Sequence, residues 1–267
     1  MRIAVLGCTG RMGIAVARAV ADSRDAELCG ALTQSGHAML NVDLGVVAGL
    51  PTTGVLITSD VNAALQGADV AIDFTLPVAT QSNLAACRKH NVALVMGTTG
   101  LNEAQQALLA EAAKDIPIVY GRNMSVGVNV TTELARLAAR YLGSDWDTEI
   151  VEVHHRHKVD APSGTALQLG EAIARERGVD LNEVGVHGRA GKTGARNRGE
   201  IGFSSIRAGN IVGDHSILFA SDAEIVELKH HVADRSVFAQ GALRSARWLT
   251  GRPAGLYGMP DVLGFNT

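Results

Sequence analysis

Five side chains able to carry positive charge stand in succession at His154, His155, Arg156, His157 and Lys158, and the turn-forming Pro162-Ser163-Gly164-Thr165 follows them. Imidazoles titrate near neutrality, which suits proton transfer. The pattern after Thr165 predicts a helix over 166–177. Helix starts expose unpaired N–H groups and the positive end of the macrodipole, so they hold anions. A cationic strand end facing such a start predicts a site for a small, multiply anionic ligand, with a proton donor beside it. Two other readings compete. A metal cluster is disfavoured, because on a strand His155 and His157 share one face while His154 points to the other, and Arg156 and Lys158 repel a dication. A solvated charge run fits poorly beside the apolar Ile150, Val151 and Val153.

A second set of residues points to a dinucleotide. Gly7-Cys8-Thr9-Gly10-Arg11-Met12-Gly13 follows the apolar run Ile3-Ala4-Val5-Leu6 and precedes a helical pattern. Glycines there permit a tight turn and close approach of the backbone to a pyrophosphate. The spacing is G-x-x-G-x-x-G rather than the commoner G-x-G-x-x-G. Where an NAD-preferring site usually carries a carboxylate, this chain has Thr33 and Gln34, which favours NADPH or use of both NADPH and NADH. Arg11 is in reach of a 2′-phosphate or is simply a surface arginine. Gly97-Thr98-Thr99 and Gly121-Arg122-Asn123-Met124 end two later apolar runs and suit contacts with a nicotinamide ring, or are only strand-ending turns.

The elements that must position these groups alternate. Strands are predicted over 3–6, 27–32, 68–74, 92–96 and 116–120, with helices between them. One of those helices is capped by Asn102 and Gln105. Such alternation means βαβ units and a parallel sheet. From about residue 126 the rhythm changes: a helix over 128–141, a strand over 148–155, a helix after 165, then strands over 201–208, 210–220 and 223–231. Strands without intervening helices predict an antiparallel or mixed sheet, hence a second, α+β domain. Residues 185–199 are rich in glycine and arginine and read as a solvated mobile loop. A helix over 236–248 and an apolar piece over 261–265 close the chain.

Composition excludes several classes. The formal net charge of −3 across 267 residues gives no basic field for nucleic acid or membrane. No apolar run approaches the ~20 residues that span a bilayer. Cys8, Cys29 and Cys87 are scattered rather than arranged as a disulfide framework, and Met1 leads straight into a strand without a signal-peptide pattern. A soluble, cytoplasmic protein is expected.

The run from Glu149 to Ala166 resembles the signature of the dihydrodipicolinate reductase family. Gly7 to Gly13, Asp73-Phe74-Thr75, Gly97 to Gly100, Asn123 to Asn129 and Arg207-Ala208-Gly209 resemble further family segments in the family's order. The resemblance implies a Rossmann-type dinucleotide-binding domain over 1–125, completed by 236–267. It also implies an inserted α+β domain over 126–235 that binds substrate and pairs sheets in a homotetramer. His154 matches the proton donor and Lys158 the second proton-donating group. His155, Gly164 and Thr165 match substrate contacts, with Ser163 beside them. Gly7 to Met12, Gly97 to Thr99 and Gly121 to Met124 match cofactor segments. The implied activity is NADPH- or NADH-dependent reduction of a small cyclic dicarboxylate without a metal, with closure about hinges near residue 126 and after His231. This chain departs from the family's usual acidic residue at Thr33-Gln34, and Arg122 and Met124 replace small and aromatic residues. A different hydride-transferring enzyme, such as an amino-acid or semialdehyde dehydrogenase, would need another catalytic set. A non-catalytic dinucleotide sensor would need neither His154 nor Lys158.

Overall fold

Ile3, Ala4, Val5 and Leu6 are wholly buried in β1 (Arg2–Leu6), as an apolar run must be in a sheet covered on both faces. In the computed structural model, which describes residues 1–265, this strand begins an alternating series. It continues through α1 (Arg11–Ala21), β2 (Glu27–Leu32), α2 (Leu44–Ala48), α3 (Val61–Ala64), β3 (Val70–Asp73), α4 (Thr80–His90), β4 (Ala93–Met96), α5 (Glu103–Ala112) and β5 (Pro117–Tyr120). Asn102 and Gln105 form the reciprocal cap of α5.

The chain then enters a second series: α6 (Val126–Leu142), β6 (Asp147–His154), α7 (Gly164–Arg177), α8 (Leu181–Val184), β7 (Gly185–His187), β8 (Ile201–Arg207), β9 (Gly213–Ala220) and β10 (Ile225–Val232). It returns through α9 (Ser236–Leu249), β11 (Gly255–Tyr257) and α10 (Met259–Leu263). Two compact units result, Met1–Val126 with Arg235–Thr267, and Gly127–Asp234.

The first unit holds a six-stranded sheet in the order β11-β5-β4-β3-β1-β2, every neighbouring pair parallel. The chain leaves β1 in opposite directions toward β2 and β3, so the carboxyl ends of β1 and β3 border the crevice where ligands enter such sheets. Close packing depends on missing side chains. A Cβ on Gly30 would lie 1.7 Å from the Ala64 carbonyl oxygen, and one on Gly241 1.7 Å from that of Met124.

The second unit carries a mixed sheet, β10-β9-β6-β8-β7, with β6 antiparallel to β9 and parallel to β8. Strict alternation along β6 buries Thr148, Ile150, Glu152 and His154 on one face. Ile150, Ile217 and Phe219 pack there against Ala135, Leu169 and Ile173 of the helices. Each such side chain contributes about 1.5–3 kcal/mol by leaving water.

Several sequence expectations need correction. Strand β6 ends at His154, so His155 and His157 do not continue its alternation; they sit in a turn closed by Lys158 N–H donating to the His155 carbonyl at 3.1 Å. Helix α7 begins at Gly164 rather than 166, because Ser163 caps it. Elements α2, α3, β7 and β11 are too short to leave a periodic signal. The segment 185–199 is not a freely solvated loop. Arg189 donates to Glu149 at 2.9 Å and to Glu200 at 3.0 Å, and Arg196 to Asp147 at 2.6 Å.

Candidate active site

Glu152 and His154 are two residues apart on β6, so the pleat turns both side chains to the same buried face. The Glu152 carboxylate lies 2.5 Å from His154 Nδ1. Arg207, opposite His154 on β8, clamps the same carboxylate with two bonds of 2.7 and 2.8 Å. The Ser163 N–H donates a further bond to it at 3.1 Å. Burial works to raise the Glu152 pKa, but hydrogen bonds from His154, Arg207 and Ser205 prevail and bring it down to about 2. Glu152 is therefore an anion at neutral pH, only 1% exposed and fully engaged.

His215, opposite Glu152 on β9, completes a ring of contacts. Its Nε2 is 3.0 Å from the Ser163 hydroxyl, and its ring meets that of His154 edge-on at 5.2 Å. Burial, and then the charge of His154, lower its pKa to about 4, so it is neutral at pH 7. The Ser163 hydroxyl also accepts the Ala166 N–H at 3.1 Å, capping α7. At the first position of α7, Gly164 opens onto empty space: a Cβ there would meet nothing within 4 Å. On the other side of His154, a Cβ on Gly213 would stand 2.9 Å from Nε2. The strand thus presents Nε2 over a bare backbone.

The five consecutive cations do not converge. His154 is buried and His155 half-buried, whereas Arg156 and His157 are exposed. The rings of His155 and His157 stand 6.3 Å apart. Lys158 pairs with Asp160 at 2.9 Å. Among the described residues, no cluster of His, Cys, Asp and Glu is arranged to hold a metal. Sequence reasoning missed Glu152, Arg207 and His215 as members of this site. The alternation of β6 could have found Glu152; the other two come from strands whose pairing only the fold reveals.

In the first unit, Gly7 has φ +82, a left-handed value that favours glycine, and its Cβ would lie 3.0 Å from the Phe74 carbonyl oxygen. A Cβ on Gly13 would lie 2.2 Å from the Gly7 carbonyl oxygen, so Gly13 serves the packing of α1 on the loop. Helix α1 has no side-chain cap, unlike α2, α3, α5, α7 and α8, which Asp43, Asp60, Asn102, Ser163 and Asp180 cap. Its first-turn N–H groups, at Arg11 and Met12, have no intrahelical acceptor. That is the donor set a pyrophosphate needs.

Beside this loop runs a cleft of about 630 Å³ bordered by Gly7, Thr9, Gly10, Thr33 and Gln34. The Thr9 and Thr33 hydroxyls bond each other at 2.7 Å. Ser35, His37, Ser59 and Asn83 also border it, none of them singled out by the sequence reading, and no carboxylate does. Gly97 accommodates the Phe74 ring, which a Cβ would approach to 2.2 Å. Thr98 is buried and donates to the Thr75 carbonyl at 3.0 Å. Two candidates turn away from any ligand. Cys8 is wholly buried, its thiol pushed up to about 12 by burial and its N–H taken by the Leu32 carbonyl at 3.0 Å. Met124 is 1% exposed, with its Sδ 3.3 Å from where a Gly121 Cβ would be. Met124 can serve a cofactor only through its backbone, and Cys8 not through its N–H, which Leu32 holds. Arg11 and Gln34 are exposed. Burial raises the thiols of Cys29 and Cys87 as well, so no cysteine is poised as a thiolate nucleophile.

Comparison with known proteins adds sequence kinship to this geometry. Residues 1–124 match the family described as "Dihydrodipicolinate reductase, N-terminus", and residues 127–263 match "Dihydrodipicolinate reductase, C-terminus". The chain is 52% identical over 263 residues to a 4-hydroxy-tetrahydrodipicolinate reductase of Alkalilimnicola ehrlichii, covering 98% of both proteins. The same identity and coverage hold for that of Pseudomonas fluorescens. Among solved structures, a dipicolinate-bound dihydrodipicolinate reductase from Paenisporosarcina sp. TG-14 aligns with a TM-score of 0.76 at 26% identity, covering 98% of each chain.

Proposed function

Because the chain belongs to the dihydrodipicolinate reductase family, we infer that it catalyses the NAD(P)H-dependent reduction of 4-hydroxy-tetrahydrodipicolinate, which loses water to give dihydrodipicolinate, to tetrahydrodipicolinate in diaminopimelate and lysine synthesis. When bound, the reduced nicotinamide supplies the hydride. The first unit holds the cofactor: the uncapped start of α1 takes the pyrophosphate, Thr33 and Gln34 border the ribose, and the Gly97-Thr98-Thr99 and Gly121 to Met124 segments face the nicotinamide.

The second unit holds the dicarboxylate. Hydride addition to a conjugated imine leaves electron density that requires a proton, and His154 provides it from Nε2. Lys158, released from Asp160, stabilises the developing negative charge. The Gly164 N–H at the open start of α7, the neighbouring Thr165 and His155 take the carboxylates, while Ser163 fixes the helix start. The buried His154 beside that open, anion-seeking helix start is the observation that supports this assignment.

The test follows NADPH oxidation with enzymatically generated substrate. Lys158→Ala is expected to lower kcat by on the order of 10²-fold or more, with cofactor affinity nearly unchanged. Gly164→Val is expected to abolish binding of pyridine-2,6-dicarboxylate and spare that of NADPH. Normal dicarboxylate binding by Gly164→Val moves the anion site elsewhere. Self-association into a homotetramer through the open face of the second unit's sheet, where Ile206 is 47% and Ile225 64% exposed, is our reading of its assembly. Light scattering measures it. Three free cysteines suit a reducing, cytoplasmic setting.

A further inference from the structure

Resting on the reading of His154 as the proton donor, we propose that Glu152 is a positioning residue of the reaction. Its carboxylate holds the His154 ring with hydrogen on Nδ1, so that Nε2 is the atom that exchanges the substrate proton. The residue touches no substrate in this scheme; it acts through His154.

The geometry supports this in three ways. A carboxylate at 2.5 Å from Nδ1 can only accept, so Nδ1 must donate. The carboxylate itself cannot swing away, since Arg207 grips both oxygens at 2.7 and 2.8 Å and the Ser163 N–H takes one at 3.1 Å. Finally, Nε2 is the nitrogen over Gly213, on the side with no Cβ. With one nitrogen committed, proton exchange falls to the other.

The groups facing His154 make the arrangement selective for charge on that ring. Glu152 lies beside it on β6, Arg207 on β8, His215 on β9, and Lys158 with Asp160 in the following turn. Arg207 is spent on Glu152 and on the Asp160 carbonyl at 2.6 Å, and Lys158 on Asp160. His215 is buried with its Nδ1 unpartnered among the described residues, a poor place for a second imidazolium. Of the two imidazoles, that of His154 has the carboxylate at its Nδ1. An orienting carboxylate of this kind does not itself become protonated; it fixes tautomer and stabilises the imidazolium.

The test is a double-mutant cycle with pH profiles. Glu152→Gln is expected to lower kcat on the order of 10²-fold, to shift the limb of the kcat/KM profile that reports His154 toward lower pH, and to leave NADPH affinity unchanged. In a His154→Gln background, Glu152→Gln is expected to cost little further, because the group it acts through is gone. Fully multiplicative losses overturn the proposal while leaving His154 as donor. A His154→Gln enzyme of near-normal activity instead overturns the donor assignment, and this proposal with it. Should Glu152→Gln fold poorly, histidine nitrogen NMR of the unaltered protein decides, with the His154 signals identified by their loss in His154→Gln. Hydrogen on Nδ1 in the neutral form is expected; hydrogen on Nε2 overturns the proposal.

Discussion

Asp73 and Thr75 are joined twice at the end of β3: the Thr75 N–H and the Thr75 hydroxyl each donate to one Asp73 oxygen at 2.7 Å. Asn83 donates to the other oxygen at 2.9 Å, and Thr98 reaches the first at 3.4 Å. Burial pushes the Asp73 carboxyl up, and these hydrogen bonds oppose that shift. One buried carboxylate thus ties the loop after β3 to the loop after β4, both at the carboxyl edge of the parallel sheet.

Asp73→Ala removes the acceptor of the Thr75 N–H and hydroxyl, while Asn83 keeps a bond to the Thr75 hydroxyl at 3.1 Å and Thr98 its bond to the Thr75 carbonyl. Each unsatisfied buried donor costs about 1–3 kcal/mol. The urea midpoint is expected to fall with little change in slope, and the NADPH Kd to rise, as calorimetry measures. A lower midpoint with unaltered Kd shows that the network serves only the fold.

Gly213→Ala brings a methyl group to within 2.9 Å of His154 Nε2, against a ring that Glu152 prevents from yielding. Misplacing a reacting group by about 1 Å can cost 10²-fold in rate. Loss of kcat with unaltered NADPH binding is expected in steady-state and calorimetric measurements. Normal kcat shows that the proton passes by another route.

Acid stability should fall in two windows. His215 is held down to about 4 by burial and by the charge of His154, from an ordinary 6.5. Its contribution is complete above pH 6.5 and is lost as pH falls through about 4. Glu152, lowered from 4.5 to about 2, contributes fully above pH 4.5 and loses that contribution as pH falls through about 2. Each shift corresponds to roughly 3 kcal/mol. Urea unfolding across this range is expected to show a flatter upper window in His215→Gln, with a residual slope from His230, whose pKa burial also lowers. An unaltered upper window assigns it to another histidine.

Cofactor choice follows from the cleft. With Thr33 and Gln34 in place of a carboxylate and none elsewhere on its lining, NADPH is expected to be used at least as well as NADH. The two kcat/KM values decide it. A preference for NADH above roughly tenfold, about 1.4 kcal/mol, places the discrimination in residues outside this cleft.

Much of the molecule is legible in the chain itself because local rules write it there. The buried parallel strand Ile3 to Leu6 is an apolar run, and Gly7 turns with positive φ between β1 and the start of α1. The cap pair Asn102 and Gln105 is likewise a local signature. His154 and Gly164 also stand out by type and position, as a titratable group at a strand end and a glycine at a helix start.

Tertiary structure alone decided what surrounds them. Arg207 and His215 lie 53 and 61 residues beyond His154 in the sequence and reach it only because β8 and β9 pair on either side of β6. Strand pairing is non-local, and no periodicity encodes which strands will be neighbours. The strand expected over 148–155 runs one residue past the observed end of β6 at His154. A run of histidines and lysine has no intrinsic reason to stop being a strand, until the turn bonds of Arg156 N–H to the Gly209 carbonyl at 3.2 Å and Lys158 N–H to that of His155 end it. The sequence determined which residues can do chemistry. Burial and pairing across strands determined that one imidazole, held by Glu152, is set apart from its neighbours.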